Sequence, residues 1–140
     1  MSDYQKLSHQ VRERDDYRCL GCGANTTRMR WWSIQHRLAR GQGGTNTLPN
    51  MVTLCGSATS PGCHLLCEQR DADMLSRGLW LRSHQVPAEE PVVLWTGAAY
   101  YLTPDGGYRE LHEIPGYTMN TGTVCPREPG CINCYACRPL

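Results

Sequence analysis

The placement of cysteines constrains this chain more than any other feature. Nine Cys occur in 140 residues, and the first four fall as Cys19-x-x-Cys22 and Cys55-x7-Cys63. An odd number excludes complete internal disulfide pairing. The N-terminus, MSDYQKLSHQ, has no apolar stretch of the secretory kind. The expected setting is therefore a reducing cytoplasm, where paired thiols read as metal ligands. The rest of the composition makes such a staple necessary. There is no Phe, while 14 Gly and 9 Pro favour loops, so the apolar core is thin and a small domain needs cross-links. The length suits one domain with a short appendage. No apolar run is long enough to span a membrane.

Local patterns place the elements. Residues 4–16, YQKLSHQVRERDD, read as a helix whose buried face carries Leu7 and Val11, four apart. The knuckle CLGCG follows at 19–23. Residues 27–35, TRMRWWSIQ, have strand composition, residues 37–49 form a Gly-rich loop, and residues 51–54 form a second strand. Residues 63–77 read as one helix with Gly78 as its C-cap, and residues 79–82 as a short strand. Residues 92–102 and 107–111 flank Thr103-Pro104-Asp105-Gly106, a hairpin turn. The division expected is a principal domain at 1–85 and an accessory β-hairpin with a Cys-rich tail at 86–140.

The formal charge of +1 is unevenly spread. Residues 1–46 hold eight Lys or Arg against four Asp or Glu, a balance of +4, and Lys6 is the only lysine among them. Residues 86–140 hold three against six, a balance of −3. Arginine suits bidentate phosphate contacts.

Cys19, Cys22, Cys55 and Cys63 come from two separated segments, as tetrahedral zinc requires. The wide second pair encloses GSATSPG, small enough to loop out. Zinc here would clamp the knuckle to the second strand and the helix after it, coupling metal binding to folding. The bland alternative is four free core thiols. Cys67 reads as a small apolar residue packed on its helix.

Three polar residues lie between and beside these ligands. His36 follows the first strand, Asn50 precedes the second, and His64 opens the helix. With CLGCG at 19–23, IQHRLARGQGG at 34–44, LPNMVTLC at 48–55 and GCHLLCEQR at 62–70, this order resembles the HNH endonuclease family. It is most similar to the small stand-alone HNH proteins of tailed bacteriophages, and the likeness covers roughly residues 5–80. The resemblance implies an α+β chain with a ββα-metal, treble-clef-like fold braced by a four-cysteine zinc site. It implies metal-dependent hydrolysis of DNA phosphodiester bonds, leaving 5′-phosphate and 3′-hydroxyl ends. His36 would be the general base, since imidazole exchanges protons near neutral pH. Asn50 would hold the loop and orient the His36 ring. His64 would bind the catalytic cation, Mg²⁺ or another divalent metal. Arg37 and Arg40 would hold flanking phosphates. DNA is the implied partner, with terminase or other packaging proteins beside it.

One departure stands out. Many family members carry Asp or His, a metal ligand, just before the base, whereas this chain has Gln35, a weaker ligand for a hard cation. Glu68 lies four residues after His64 and shares its helix face, so it is the candidate replacement. If neither coordinates, the alternative is a catalytically silent zinc module that binds DNA or a terminase-like partner. A plain zinc-finger reader fits less well, because no helix carries a cluster of base-reading side chains. Cys125, Cys131, Cys134 and Cys137 form a further cluster in the tail, readable as a second zinc site or as free thiols.

Overall fold

Ser2 opens the first helix. Its hydroxyl accepts from Gln5 N while the Gln5 side chain accepts from Ser2 N, a reciprocal cap that starts α1 at Asp3–Arg14. In the computed structural model the described residues are 1–111; the second cysteine cluster, at 125–137, lies outside them. Val11 is fully buried, and Leu7 and Ile34 pack with it around Met51 and Leu48. The helix thus lies against the hairpin that follows, as the spacing of Leu7 and Val11 leads one to expect.

That hairpin pairs β1 (Trp32–His36) with β2 (Met51–Cys55), antiparallel, from Trp32 opposite Cys55 to His36 opposite Met51. Every residue of β2 is buried. The knuckle docks onto it through Leu20 N, which donates to Thr53 O at 2.9 Å. Gly23 (φ +79°) must be glycine: a Cβ there would lie 2.5 Å from the Trp95 ring.

The helix expected over 63–77 is two short helices, α2 (Cys63–Glu68) and α3 (Ala72–Ser76). Arg70 takes a left-handed turn (φ 53°). The Asp71 carboxylate then accepts from the backbone of Asp73 and Met74 and starts a new helix. The break turns Met74 into the core beside Leu66 and Cys67. Residues 79–82 do not form a strand; they run as a connector in which Leu79, Trp80 and Leu81 are buried.

The last described segment is a three-stranded meander, β3 (Val92–Val93), β4 (Ala99–Leu102) and β5 (Tyr108–Leu111). The single strand expected over 92–102 is broken by a turn in which Leu94 N donates to Ala98 O and Gly97 has φ 86°. The hairpin turn at 103–107 is present, closed by Thr103 N donating to Gly107 O. Val92 and Leu102 belong to the same buried cluster as Leu54, Cys67 and Leu79. The boundary expected at residue 85 therefore falls inside one core, and residues 86–111 pack as part of it. Among the described residues no helix is long and apolar enough to cross a membrane.

Polar braces supplement this small core. Arg14 pairs with Asp15 inside the protein, and the Asp15 carboxylate also accepts from Thr53 N and from the Tyr108 hydroxyl. One buried carboxylate thus ties α1 to β2 and β5. Arg77 donates to the carbonyls of Val93, Leu20 and Gly21, linking α3 to the meander and to the knuckle.

Candidate metal centre and active site

The two cysteine pairs converge as their spacing leads one to expect. Cys19, Cys22, Cys55 and Cys63 are all buried, and their sulfur atoms lie within 4.8 Å of one another. A tetrahedral ion with metal–sulfur bonds of about 2.3 Å needs sulfur–sulfur edges of about 3.8 Å; Cys22 and Cys55 are separated by 3.7 Å. That distance is far beyond a disulfide bond, and all four thiols are free. Burial raises the Cys19 thiol, but hydrogen bonds from Cys22, Cys55 and Cys63 outweigh it and hold Cys19 well below the ordinary thiol range. The main chain fits closely around them: a Cβ on Gly21 would lie 2.7 Å from Cys63 Sγ. Cys63 N points at Cys55 Sγ, 3.3 Å away. Four clustered sulfur donors form a set that could hold a metal ion such as zinc.

A second site opens beside this one. Gln35, His36, Arg40, His64, Glu68 and Trp80 line an open cleft of about 190 Å³ between the end of β1 and α2. Two larger clefts, of about 330 and 640 Å³, contain no histidine or cysteine in their walls.

The ring of His64 is held by its inner nitrogen. Nδ1 lies 2.5 Å from Ser33 Oγ, and the Ser33 hydroxyl donates to Gly56 O at 3.0 Å. With its one proton committed, Ser33 accepts from Nδ1–H, which leaves the lone pair of Nε2 on the cleft side. Nε2 is 3.5 Å from Glu68 Oε1. Burial lowers the His64 pKa below the ordinary imidazole value, against the opposing pull of Glu68. A neutral imidazole lone pair and a carboxylate oxygen at this distance repel unless a positive species lies between them. The pair therefore suits a divalent cation, or a proton in its place.

His36 is fixed by a residue that sequence reading did not single out. Its Nε2 lies 2.8 Å from Asn46 Oδ1, and Arg40 Nη2 donates to that same oxygen at 3.0 Å. A guanidinium only donates, so Asn46 presents its oxygen here and His36 donates Nε2–H to it. Nδ1 is then the atom free to take a proton. Gln35 is buried with its amide nitrogen donating to His36 O at 2.9 Å, so its amide oxygen is the atom through which it can serve a cation.

Two expectations are corrected. Asn50 holds the loop, as expected, but does not touch the His36 ring. Its side chain accepts from Leu38 N at 2.7 Å and donates to Leu38 O and Thr45 O. Asn46 takes the orienting role, and nothing in the loop sequence distinguishes it from a turn residue. Ser33 was more legible, since strand alternation puts it on the face of Gln35.

Arg37 is not a phosphate ligand. It is 0% exposed, and its guanidinium donates to five carbonyls, those of Pro49, Gly78, Pro87, Glu90 and Pro91. Burial lowers its pKa to about 9, so it stays charged at neutral pH. Arg40, by contrast, is exposed at the cleft. Replacing Arg37 by Met leaves those carbonyls without donors. The expected loss is about 3–5 kcal/mol of folding stability, read from the denaturant midpoint of the variant, with metal content unchanged. No family model, curated protein or solved structure matches the chain.

Proposed function

We propose that this chain is a metal-dependent HNH-type endonuclease that hydrolyses DNA phosphodiester bonds, with zinc in its four-cysteine cluster. The observation that carries this reading is the meeting of His36 from β1 with His64 and Glu68 from α2 in one open cleft, two elements separated in sequence. The order of β1, loop, β2 and α2 around them agrees with the ββα-metal arrangement that the resemblance implies.

The residues divide the work as follows. His36 Nδ1 takes the proton of the attacking water, and Asn46 steadies the ring and the charge it gains. His64 Nε2 and Glu68 would hold the divalent cation, with the Gln35 oxygen in reach of the same cleft. When bound, the cation supplies charge stabilisation to the scissile phosphate and the leaving 3′ oxygen. Arg40 offers its exposed guanidinium to a neighbouring phosphate. Packaging proteins of the terminase type remain the partners that the resemblance suggests.

The test is nicking of supercoiled plasmid by zinc-loaded protein, with Mg²⁺ or Mn²⁺ titrated in. Cleavage is expected to depend on the added metal. Glu68→Ala is expected to raise the half-maximal metal concentration by about 10–100-fold with folding unchanged, because the Glu68 side chain is 41% exposed. A Glu68→Ala curve that overlays wild type would remove Glu68 from the ligand set.

One observation favours the alternative of a silent DNA-binding module. Gln35 offers no charge to the site, so the cation rests on a single carboxylate. Folded, zinc-loaded protein that cuts with none of the metals would establish it.

A further inference from the structure

Between Asp16 and Glu68 the chain contains no acidic residue. Around the start of β1 this stretch exposes Arg28, Arg30, Trp31 and Trp32. Trp31 is 55% exposed and Trp32 is 37% exposed, in a chain whose other two tryptophans are buried or partly buried. An indole left in water costs hydrophobic free energy, so two adjacent ones are informative.

The platform is held in place. Gly56 N donates to Trp31 O at 2.8 Å, which carries the ladder one step past the end of β1. The Arg30 guanidinium lies 5.4 Å from the Trp31 ring centre, and that of Arg12 lies 3.7 Å from Trp32. Strand alternation puts Trp31 on the face of Ser33 and Gln35, and Ser33 is the residue that holds His64. Trp31 is two residues from Ser33, about 7 Å along the strand. A stacked nucleic-acid strand advances about 3.4 Å per nucleotide, so Trp31 stands about two nucleotides from the residue that holds His64. Beyond the other end of β1, Arg40, which lines the cleft, lies 5.8 Å from the ring of exposed Tyr4, a second arginine–aromatic pair.

Arginines would hold the phosphates of such a strand, but a flat exposed indole does nothing for a phosphate. It offers a face on which an unpaired base stacks, and base–aromatic stacking with arginine beside it is the chemistry of single-strand binding. From this geometry we infer that the Arg30–Trp31 platform binds an unpaired nucleobase next to the cleft, so that the favoured substrate is single-stranded DNA or a duplex with an unpaired segment. The inference deepens the nuclease reading by naming its substrate class, yet it concerns binding and is measured without cleavage.

The experiment is equilibrium binding of the full, zinc-loaded chain, without added Mg²⁺, followed by fluorescence anisotropy. The probes are a labelled oligo-dT of about 20 nucleotides and a duplex of the same length, enough for several stacked bases. The single strand is expected to bind more tightly than the duplex. Trp31→Ala is expected to weaken single-strand binding about 5- to 100-fold and to remove that preference, whereas Trp31→Tyr keeps most of the affinity. Arg30→Gln is expected to lower the slope of log affinity against log salt by about one contact. Unchanged melting temperatures serve as the folding control, since Trp31 is a surface residue. Single-strand binding by Trp31→Ala within twofold of wild type would overturn the inference. So would a duplex bound at least as tightly as the single strand, or binding to neither probe, as for a platform that docks a protein. A chain that binds single strands through Trp31 but cuts no DNA would refute the nuclease reading and leave this one standing; a chain that cuts plasmid but whose single-strand binding is unchanged in Trp31→Ala would do the reverse.

Discussion

His36→Ala is expected to lower the plasmid-nicking rate by about 10²–10⁴-fold, the usual contribution of a positioned general base, while binding of DNA stays close to wild type. The reason is local. His36 lies at the end of β1 with its side chain held by Asn46, and it belongs neither to the sulfur cluster nor to the buried core. Removing the ring therefore takes away the proposed proton acceptor and little else. Asn46→Ala is the graded companion. It frees the ring to rotate without deleting it, so its loss in rate should be smaller than that of His36→Ala. Asn50→Ala should behave differently from both. Asn50 braces the loop backbone at Leu38 and Thr45, so its loss should show first as reduced stability, in a melting curve.

Cys19→Ser is expected to give a chain that retains little bound zinc and little soluble folded protein. Structural zinc contributes apparent folding free energy of about 10–16 kcal/mol, as large as the whole net stability of an ordinary domain, about 5–15 kcal/mol. The cluster also lies where the knuckle, β2 and α2 meet, with all four sulfurs buried, so an empty site would leave repelling thiolates in the core. Zinc stoichiometry measured with a thiol-modifying reagent and a colorimetric chelator, alongside circular dichroism, checks both outcomes. Cys67 provides the contrast. Its thiol faces Leu79 O at 3.8 Å, outside the cluster, and burial raises its pKa far above the ordinary thiol value. Cys67→Ala should keep full zinc and lose only packing stability. A zinc-loaded, folded Cys19→Ser protein would mean that the cluster is not a structural metal site.

The parts of the molecule that were legible in the sequence are those in which a residue type admits few roles. Two cysteine pairs in a chain without Phe have little to do but meet, and they do. The order of His36, Asn50 and His64 with Glu68 one turn later pointed to the face of α2 that lines the cleft, and His64 and Glu68 lie there together. Arginine was the misleading residue. Its charge reads the same on a surface as in a core, and Arg14, Arg37 and Arg77 all turn inward to cap carbonyl clusters. The carbonyls around Arg37 come from residues 49, 78 and 87–91, segments that only the folded chain brings together, so no local pattern announces them. The true basic surface is correspondingly smaller than a balance of +4 over residues 1–46 suggests. Asn46 escaped notice for a related reason: it sits in a Gly/Thr/Asn loop, where asparagine ordinarily means a turn. The split of α2 from α3 was readable in principle, since Asp71 followed by helix formers is an N-cap signal.

The central question is whether the cleft hydrolyses phosphodiester bonds. The most direct measurement is single-turnover cleavage of supercoiled plasmid by wild type and His36→Ala, purified in parallel with equal zinc content, with and without added Mn²⁺ or Mg²⁺. Metal-dependent nicking by wild type is expected, with 3′-hydroxyl ends that a polymerase can extend, and about 10²–10⁴-fold less in His36→Ala. Equal nicking by the two proteins would contradict the assignment of His36 as the base.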